Sequence, residues 1–312
     1  MELRKDYILE RWVVISEGRA KRPREFKKKP IDVDDKICHF CSGNEHLTPP
    51  EISRVEEDGK WKIRVIPNKF PFMIEEGFTD IRTDNIFFTY SHAYGKHEVI
   101  VETEDHEKQL YDLTHDEIKE VLNMYKSRFN ALSKLFETKY VVLFKNHGAE
   151  AGTSIVHSHS QITSMAKMPT LIQDKLNAVK KFDSCPYCDI INIEKGSDRR
   201  CFENNSFVAF TPYASRFNYE VWLFSKRHCK NINELNDDEM NDLTEIMVKI
   251  LRKLKELNCS YNFTVFNSPT NEDLHFHIEF LPRMATWAGF EFSTDIVINS
   301  INPEQAAEFY RE

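Results

Sequence analysis

Glycine is scarce in this chain: 9 of 312 residues. Long apolar runs are missing altogether. No stretch of about 18 or more apolar residues could cross a bilayer, and the opening "MELRKDYILERW" lacks the uncharged apolar centre of a signal peptide. A cytosolic protein without membrane attachment is therefore expected. Positive charge is also in deficit, with a formal net charge of −8. That balance argues against a general nucleic-acid binder, which needs an excess of Lys and Arg to neutralise phosphates. The one basic stretch, "RAKRPREFKKKP" from Arg19 to Pro30, taken by itself reads as a solvated linker. With 41% hydrophobic residues the chain has enough apolar content for a large core, so it should be globular.

Seven cysteines in a cytosolic chain do not make a disulfide framework. Four of them form two pairs, "CHFC" (Cys38, Cys41) and "CPYC" (Cys185, Cys188). Such pairs read as metal ligands; neither has the strand-to-helix setting of a thioredoxin-type redox motif. Cys201, Cys229 and Cys259 read as ordinary residues.

The chain repeats itself. Phe88 to Glu117 aligns without a gap on Phe210 to Glu239, and His106 falls on His228. Each stretch enters a helix with a capping signature, Thr114 with Glu117 and Asn236 with Glu239. The helices carry apolar stripes, Ile118 to Leu132 and Met240 to Leu254, which read as core. An apolar strand follows each helix, "YVVLFKN" and "YNFTVFN", and then a histidine-rich strand, "HSHSQI" and "HFHIEFLP". Both halves thus run CxxC, strand, histidine, capped helix, strand, HxH. The expectation is an internally duplicated α+β protein.

The duplication completes the metal sites. A structural zinc takes four Cys or His ligands in a tetrahedron, so a lone CxxC is half a site. Cys38, Cys41, His106 and His157 close one set; Cys185, Cys188, His228 and His275 close the other. His277 is an alternative to His275. Two thiolates with two imidazoles favour zinc over iron.

If His157 binds metal, His159 lies free on the same strand face, with Gln161 beyond it. A neutral imidazole is a competent nucleophile near pH 7 and can attack phosphorus to give a phosphoramidate. In the preceding "HGAEAGTS", Gly148 and Gly152 let backbone approach a phosphate closely. Ser154 and Gln161 supply donors to the phosphoryl oxygens. Gln161 cannot deliver a proton, which favours transfer over hydrolysis.

The stretch "NHGAEAGTSIVHSHSQ", the openings "RKD", "RWV" and "RAKRP", the "NKF" at Asn68 to Phe70 and the terminal "GFE", "IN" and "PE·AA" together resemble the galactose-1-phosphate uridylyltransferase branch of the histidine-triad superfamily, over nearly the whole chain. The pattern is closest to the ADP-glucose phosphorylase type, because "PRMATWAGFE" is short and carries Arg283 in place of a lysine-containing stretch. The resemblance implies two histidine-triad-like halves, 1–166 and 167–312, joined as a pseudo-dimer with an antiparallel sheet and flanking helices. It implies a nucleotidyltransferase that takes a nucleoside monophosphate from a nucleotide sugar onto His159 and passes it to phosphate or a sugar-1-phosphate. Gln161, Ser154 and Asn146 would steady the phosphoryl group, and Arg19 and Arg22 would sit near the phosphates. Asn68 and Phe70 would line the nucleoside pocket, and Phe290 and Glu291 would meet the sugar. The resemblance also suggests homodimers. In the second half an acidic Glu279 stands at the position of Gln161, so His277 is expected to be structural. The alternative, a non-catalytic zinc-containing binding module, has no use for His159, Ser154, Asn146 and Gln161 together.

Overall fold

The computed structural model describes residues 1–18 and 37–312. The first half contributes β1 (Glu2–Lys5), β2 (Trp12–Ile15), β3 (Ser53–Glu57), β4 (Lys60–Pro67), an exposed hairpin of β5 (Arg82–Thr83) and β6 (Thr89–Tyr90), β7 (His97–Val101), α1 (His115–Ser133), β8 (Tyr140–His147) and β9 (His159–Met165). The second half follows with α2 (Thr170–Val179), α3 (Pro186–Glu194), β10 (Arg200–Glu203), β11 (Phe207–Phe210), β12 (Val221–Ser225), α4 (Asp237–Leu257), β13 (Tyr261–Phe266), β14 (His277–Pro282), α5 (Gly289–Thr294), β15 (Val297–Asn299) and α6 (Pro303–Arg311).

Ten strands form one sheet in the order β10-β11-β12-β14-β13-β8-β9-β7-β4-β3. Each half supplies five of them, and the same succession of strands is met from either edge. The halves join where β8 pairs antiparallel with β13, Asn146 opposite Asn262 and Phe144 opposite Thr264. Helices α1 and α4 lie together on one face. Their boundaries follow the caps: Thr114 accepts from the Glu117 N–H while Glu117 accepts from that of Thr114, and Asn236 and Glu239 do the same. Ile118, Val121, Leu122, Tyr125, Phe129 and Leu132 of α1 are buried, as are Met240, Leu243, Met247, Ile250, Leu251 and Leu254 of α4. Each such side chain stabilises the fold by about 1.5–3 kcal/mol relative to exposure. No helix among the described residues is long and apolar enough to cross a membrane.

Strand pairing refines the repeat. Val101 lies opposite His159 and Phe224 opposite His277. One residue lies between Val101 and Thr103, whose carbonyl meets His157; none lies between Phe224 and Ser225, whose carbonyl meets His275. The extra residue in the first half is Glu102, so the gapless alignment holds from Thr103 and Ser225 to the helix caps but runs one residue out of register along the preceding strand. Phe88 and Phe210 are not equivalent either: Phe88 is exposed beside the β5–β6 hairpin, whereas Phe210 is buried in β11 opposite Trp222. Phe144 pairs with Gln161 as Thr264 pairs with Glu279, which makes Asn146 the counterpart of Phe266 and Lys145 the counterpart of Val265.

A three-stranded sheet, β1-β2-β15, ties the two chain ends together, with β2 parallel to β15. Tyr7 packs edge-on to Phe210 and tilts over Trp222, so the first residues of the chain lie against the second half. The boundary at 166/167 falls between β9 and α2.

Candidate active site and two metal clusters

The structure gathers both ligand sets. Cys38, Cys41, His106 and His157 bring their ligand atoms within 4.8 Å of one another, and so do Cys185, Cys188, His228 and His275. In the first cluster the sulfur-to-Nδ1 separations are 3.7 Å (Cys38–His157), 3.3 Å (Cys41–His106) and 3.6 Å (Cys41–His157). In the second they are 3.8 Å (Cys185–His275), 3.5 Å (Cys188–His228) and 3.6 Å (Cys188–His275). Three of the four remaining ring nitrogens have acceptors. His157 Nε2 donates to the Thr103 carbonyl and His275 Nε2 to that of Ser225, each at 2.8 Å. His228 Nε2 meets the Asp273 carboxylate at 2.8 Å. These bonds fix the tautomer of those three rings and leave their Nδ1 lone pairs aimed at the sulfurs. It is His275 and not His277 whose ring nitrogen joins the second cluster.

His159 follows two residues after His157 and opens β9. Its Nδ1–H donates to the His157 carbonyl at 2.8 Å, which leaves the Nε2 lone pair with no hydrogen-bond partner among the described residues. Phe40, carried between the two cysteines of the first cluster, presents its ring edge to His159 at 5.3 Å between centroids. Burial, reinforced by the nearby Lys145 cation, pushes the His159 pKa down to about 4, so its imidazole is neutral near pH 7.

Gln161 shares the strand face of His159, as the period of two requires. Its carbonyl oxygen accepts from His97 Nε2 at 2.8 Å and lies 3.4 Å from Asn68 Nδ2. The amide nitrogen of Gln161 is left to donate. Asn68 is held in turn: its N–H donates to the His97 carbonyl at 2.8 Å and its own Oδ1 accepts from the Phe70 N–H at 2.9 Å. Phe70 is 83% exposed and makes no part of the core. Asn146 receives a bond on Oδ1 from Asn262 Nδ2 at 2.8 Å, across the junction of the halves, and Arg283 donates to Asn262 Oδ1 at 3.1 Å. The Asn146 amide nitrogen therefore also faces outward as a donor.

The turn between β8 and β9 holds both of its glycines, Gly148 (φ 80°) and Gly152 (φ 85°), at positive φ. The Gly152 N–H donates to the Ala149 carbonyl, and those of Ala151 and Thr153 to the Gly148 carbonyl. These amides close the turn rather than standing free. A Cβ at Gly148 would come within 2.2 Å of the Ser260 hydroxyl, so close packing against the second half decides that position. Ser154, just beyond, is exposed. Phe290 and Glu291 lie on α5, where Glu291 caps its own helix by accepting from the Ala288 N–H; no hydrogen bond or ring contact among the described residues joins either to the His159 strand. Arg19 and Arg22, with the rest of the basic run to Pro30, lie outside the described residues.

Sequence reasoning missed His97, Phe72 and Asn262. His97 lies on the same face of β7 as Val99 and Val101, and Phe72 packs against its ring at 4.1 Å with the planes tilted. The alternation of β7 against β9 was the available signal. For Asn262 no sequence signal existed, because its role depends on the junction between the halves.

The counterpart in the second half is sealed. His277 is fully buried between Phe224 and Phe266, at 4.5 and 4.6 Å and nearly parallel to both. Lys175 of α2 reaches in to bond His277 Nε2 at 3.0 Å and Glu279 at 2.6 Å, and Arg216 holds the other Glu279 oxygen at 3.0 Å. Phe266 stands where Asn146 stands in the first half. One half keeps an accessible imidazole face with amide donors; the other has filled it with rings and an ion-paired cluster.

Residues 2–169 match the family "Galactose-1-phosphate uridyl transferase, N-terminal domain", and residues 95–309 match a "Domain of unknown function (DUF4921)". The chain belongs to the galactose-1-phosphate uridyl transferase family. Within it, an ADP-glucose phosphorylase of Arabidopsis thaliana is 33% identical, covering 100% of this chain and 92% of that protein. A galactose-1-phosphate uridylyltransferase of Thermotoga maritima is 29% identical over 100% of this chain and 98% of its own length. The crystal structure of an ADP-glucose phosphorylase from Arabidopsis thaliana with bound ADP-glucose superposes with a TM-score of 0.84 at 31% identity, covering 100% of this chain and 98% of that one.

Proposed function

We propose that this protein is a nucleotidyltransferase that moves a nucleoside monophosphate from a nucleotide sugar, through a covalent bond to His159, onto inorganic phosphate or a hexose-1-phosphate. The observation that carries the reading is the tautomer of His159: with its proton committed to the His157 carbonyl, the Nε2 lone pair is the nucleophile. That lone pair attacks the α-phosphorus; the bond from phosphorus to the bridging oxygen breaks, and the sugar-1-phosphate leaves. An oxygen of the acceptor then attacks the same phosphorus and returns the electron pair to Nε2. The Gln161 and Asn146 amides and the Ser154 hydroxyl donate to the phosphoryl oxygens as charge builds. Water is a poorer acceptor here because none of these donors removes its proton. Asn68 and Phe70 line the nucleoside side; Phe290 and Glu291 meet the sugar, and Arg19 and Arg22 the phosphates. Activity on ADP-glucose and phosphate is the favoured specificity, supported by the short stretch from Pro282 to Glu291.

Zinc is the metal we assign to both clusters. A tetrahedral zinc with bonds of about 2.3 Å to sulfur and about 2.05 Å to nitrogen holds those atoms roughly 3.6 Å apart. The observed separations run from 3.3 to 3.8 Å. Bound there, zinc supplies structural cross-linking rather than chemistry: in the first cluster it would tie the Cys38–Cys41 loop, and with it Phe40, to the strand that bears His159. None of the seven cysteines forms a disulfide, which supports a cytosolic setting, and a homodimer is the assembly we favour.

The test is intact mass. The protein is mixed separately with ADP-glucose, UDP-glucose and UDP-galactose and quenched at alkaline pH, where a phosphoramidate survives. A gain of one AMP or UMP that His159→Ala abolishes supports the reading; no gain with any donor refutes it.

A further inference from the structure

We propose that the buried ion pair of Lys145 and Glu102 is a positioning device for His159. The inference rests on the covalent reading of His159. Both residues are sealed from solvent, 1% and 2% exposed, on the face of the sheet opposite the reacting imidazole. Lys145 Nζ donates to a Glu102 oxygen, to Ser158 Oγ at 3.0 Å and to the backbone carbonyl of His159 at 2.9 Å. Glu102 accepts from the hydroxyls of Ser158, Ser160 and Tyr125, and its N–H donates to the Ser158 carbonyl at 3.1 Å. One ion pair therefore pins three consecutive residues, 158 to 160, from behind.

The duplicated half is an internal control. Where the first half has Lys145, Ser158, Ser160 and Tyr125, the second has Val265, Phe276, Ile278 and Met247, all members of the apolar core. Glu102 is the residue with no counterpart on the second strand. The same architecture thus folds with an apolar layer at this level, and burying a charge pair where apolar packing serves is rarely the more stable choice. The polar layer occurs only beneath the histidine that is free to react. Beneath the sealed His277 there is none. Hydrogen bonds to the hydroxyls of Ser158 and Ser160 and to the backbone carbonyls of Ser158 and His159 together restrict the position of the His159 ring to within the tolerance that in-line attack requires.

Two variants test this, each read as a ratio to wild type in steady-state transfer from ADP-glucose to phosphate, with the nucleotidyl adduct measured alongside by intact mass. Glu102→Leu with Lys145→Met removes both charges at similar volume. Ser158→Ala with Ser160→Ala keeps the pair and removes two pins. We expect both to bind two metals, to melt no lower than a few degrees below wild type, and to lose at least tenfold in kcat with KM changed less than threefold. Wild-type kcat in the serine variant overturns the proposal even if the first variant does not fold. A KM increase with kcat intact overturns it as well. The wild-type protein in the same assay tests the covalent reading separately: if it forms no adduct with any donor, that reading has failed, whatever the pair does.

Discussion

His159 and His277 hold the same tautomer, and Lys175 is what separates them. Each donates its Nδ1 proton to the carbonyl two residues back, at 2.8 and 2.7 Å. In the second half Lys175 Nζ then binds the remaining nitrogen, at 3.0 Å. A lone pair engaged by a buried ammonium cannot attack phosphorus. His277→Phe should therefore leave adduct formation within about threefold of wild type, since a phenyl ring fits the slot between Phe224 and Phe266 and Lys175 keeps Glu279. Mapping the adduct by peptide mass checks it; a nucleotide found on His277 would defeat the assignment.

The Gln161 amide points where it does because His97 occupies its carbonyl. Gln161→Glu keeps the shape but replaces a donor with an anion beside the phosphoryl oxygens, as Glu279 would be if its half were open. Loss of one such donor costs on the order of 10²–10³ in kcat. Steady-state kinetics should place the loss in kcat; a variant within threefold of wild type would remove Gln161 from the mechanism.

Much of this was legible in the chain. The caps at Thr114 and Asn236, the apolar stripes and all eight ligand positions follow from local spacing and from the repeat, because helices and CxxC turns obey short-range rules. What escaped was register. Glu102 adds a residue before Thr103 that no gapless comparison can reveal, and a separate shift after α1 matches Asn146 to Phe266. The seal over His277 also escaped, because Lys175 comes from α2 and Tyr187, whose ring lies 5.4 Å from that of His277, comes from α3, and neither helix has an apparent relation in sequence to the strand it covers.

The two clusters should differ in what their loss does. Cys185→Ser is expected to drop one equivalent of metal by elemental analysis and lower the melting temperature, with transfer retained below the new midpoint. Cys38→Ser should drop one equivalent and slow transfer about tenfold or more, because His157 and Phe40 both lose their anchor beside His159. Equal effects on transfer from both would show that neither cluster acts through the strand.

Gly148→Ala should be costly for two independent reasons, the positive φ and the approach to Ser260. A destabilisation of about 1–3 kcal/mol is expected. Adding Ser260→Gly relieves the contact and leaves the φ penalty, so denaturant midpoints should recover only in part. Full recovery would mean that the backbone at Gly148 carries no strain for alanine.

Acid sensitivity should trace to Glu304 at the join of the chain ends. Its carboxylate accepts from Arg4 Nη1 at 3.0 Å and from Arg199 Nη1 at 2.9 Å, linking β1, the turn just before β10, and α6. Burial alone would raise its pKa; the bonds from Arg199 and Arg4 outweigh burial and hold it below its ordinary value of 4.5. A carboxylate lowered on folding binds fewer protons folded than unfolded, so its stabilisation is fully present above that ordinary value and is lost as pH falls through the lower folded one. Glu304→Gln should therefore melt below wild type at pH 7, by a difference worth roughly 1 kcal/mol. Calorimetry of both proteins from pH 7 downward should show the gap constant to about pH 5 and narrowing below about 4.5. A gap that does not change with pH would assign the loss to packing around α6 instead of to the charge.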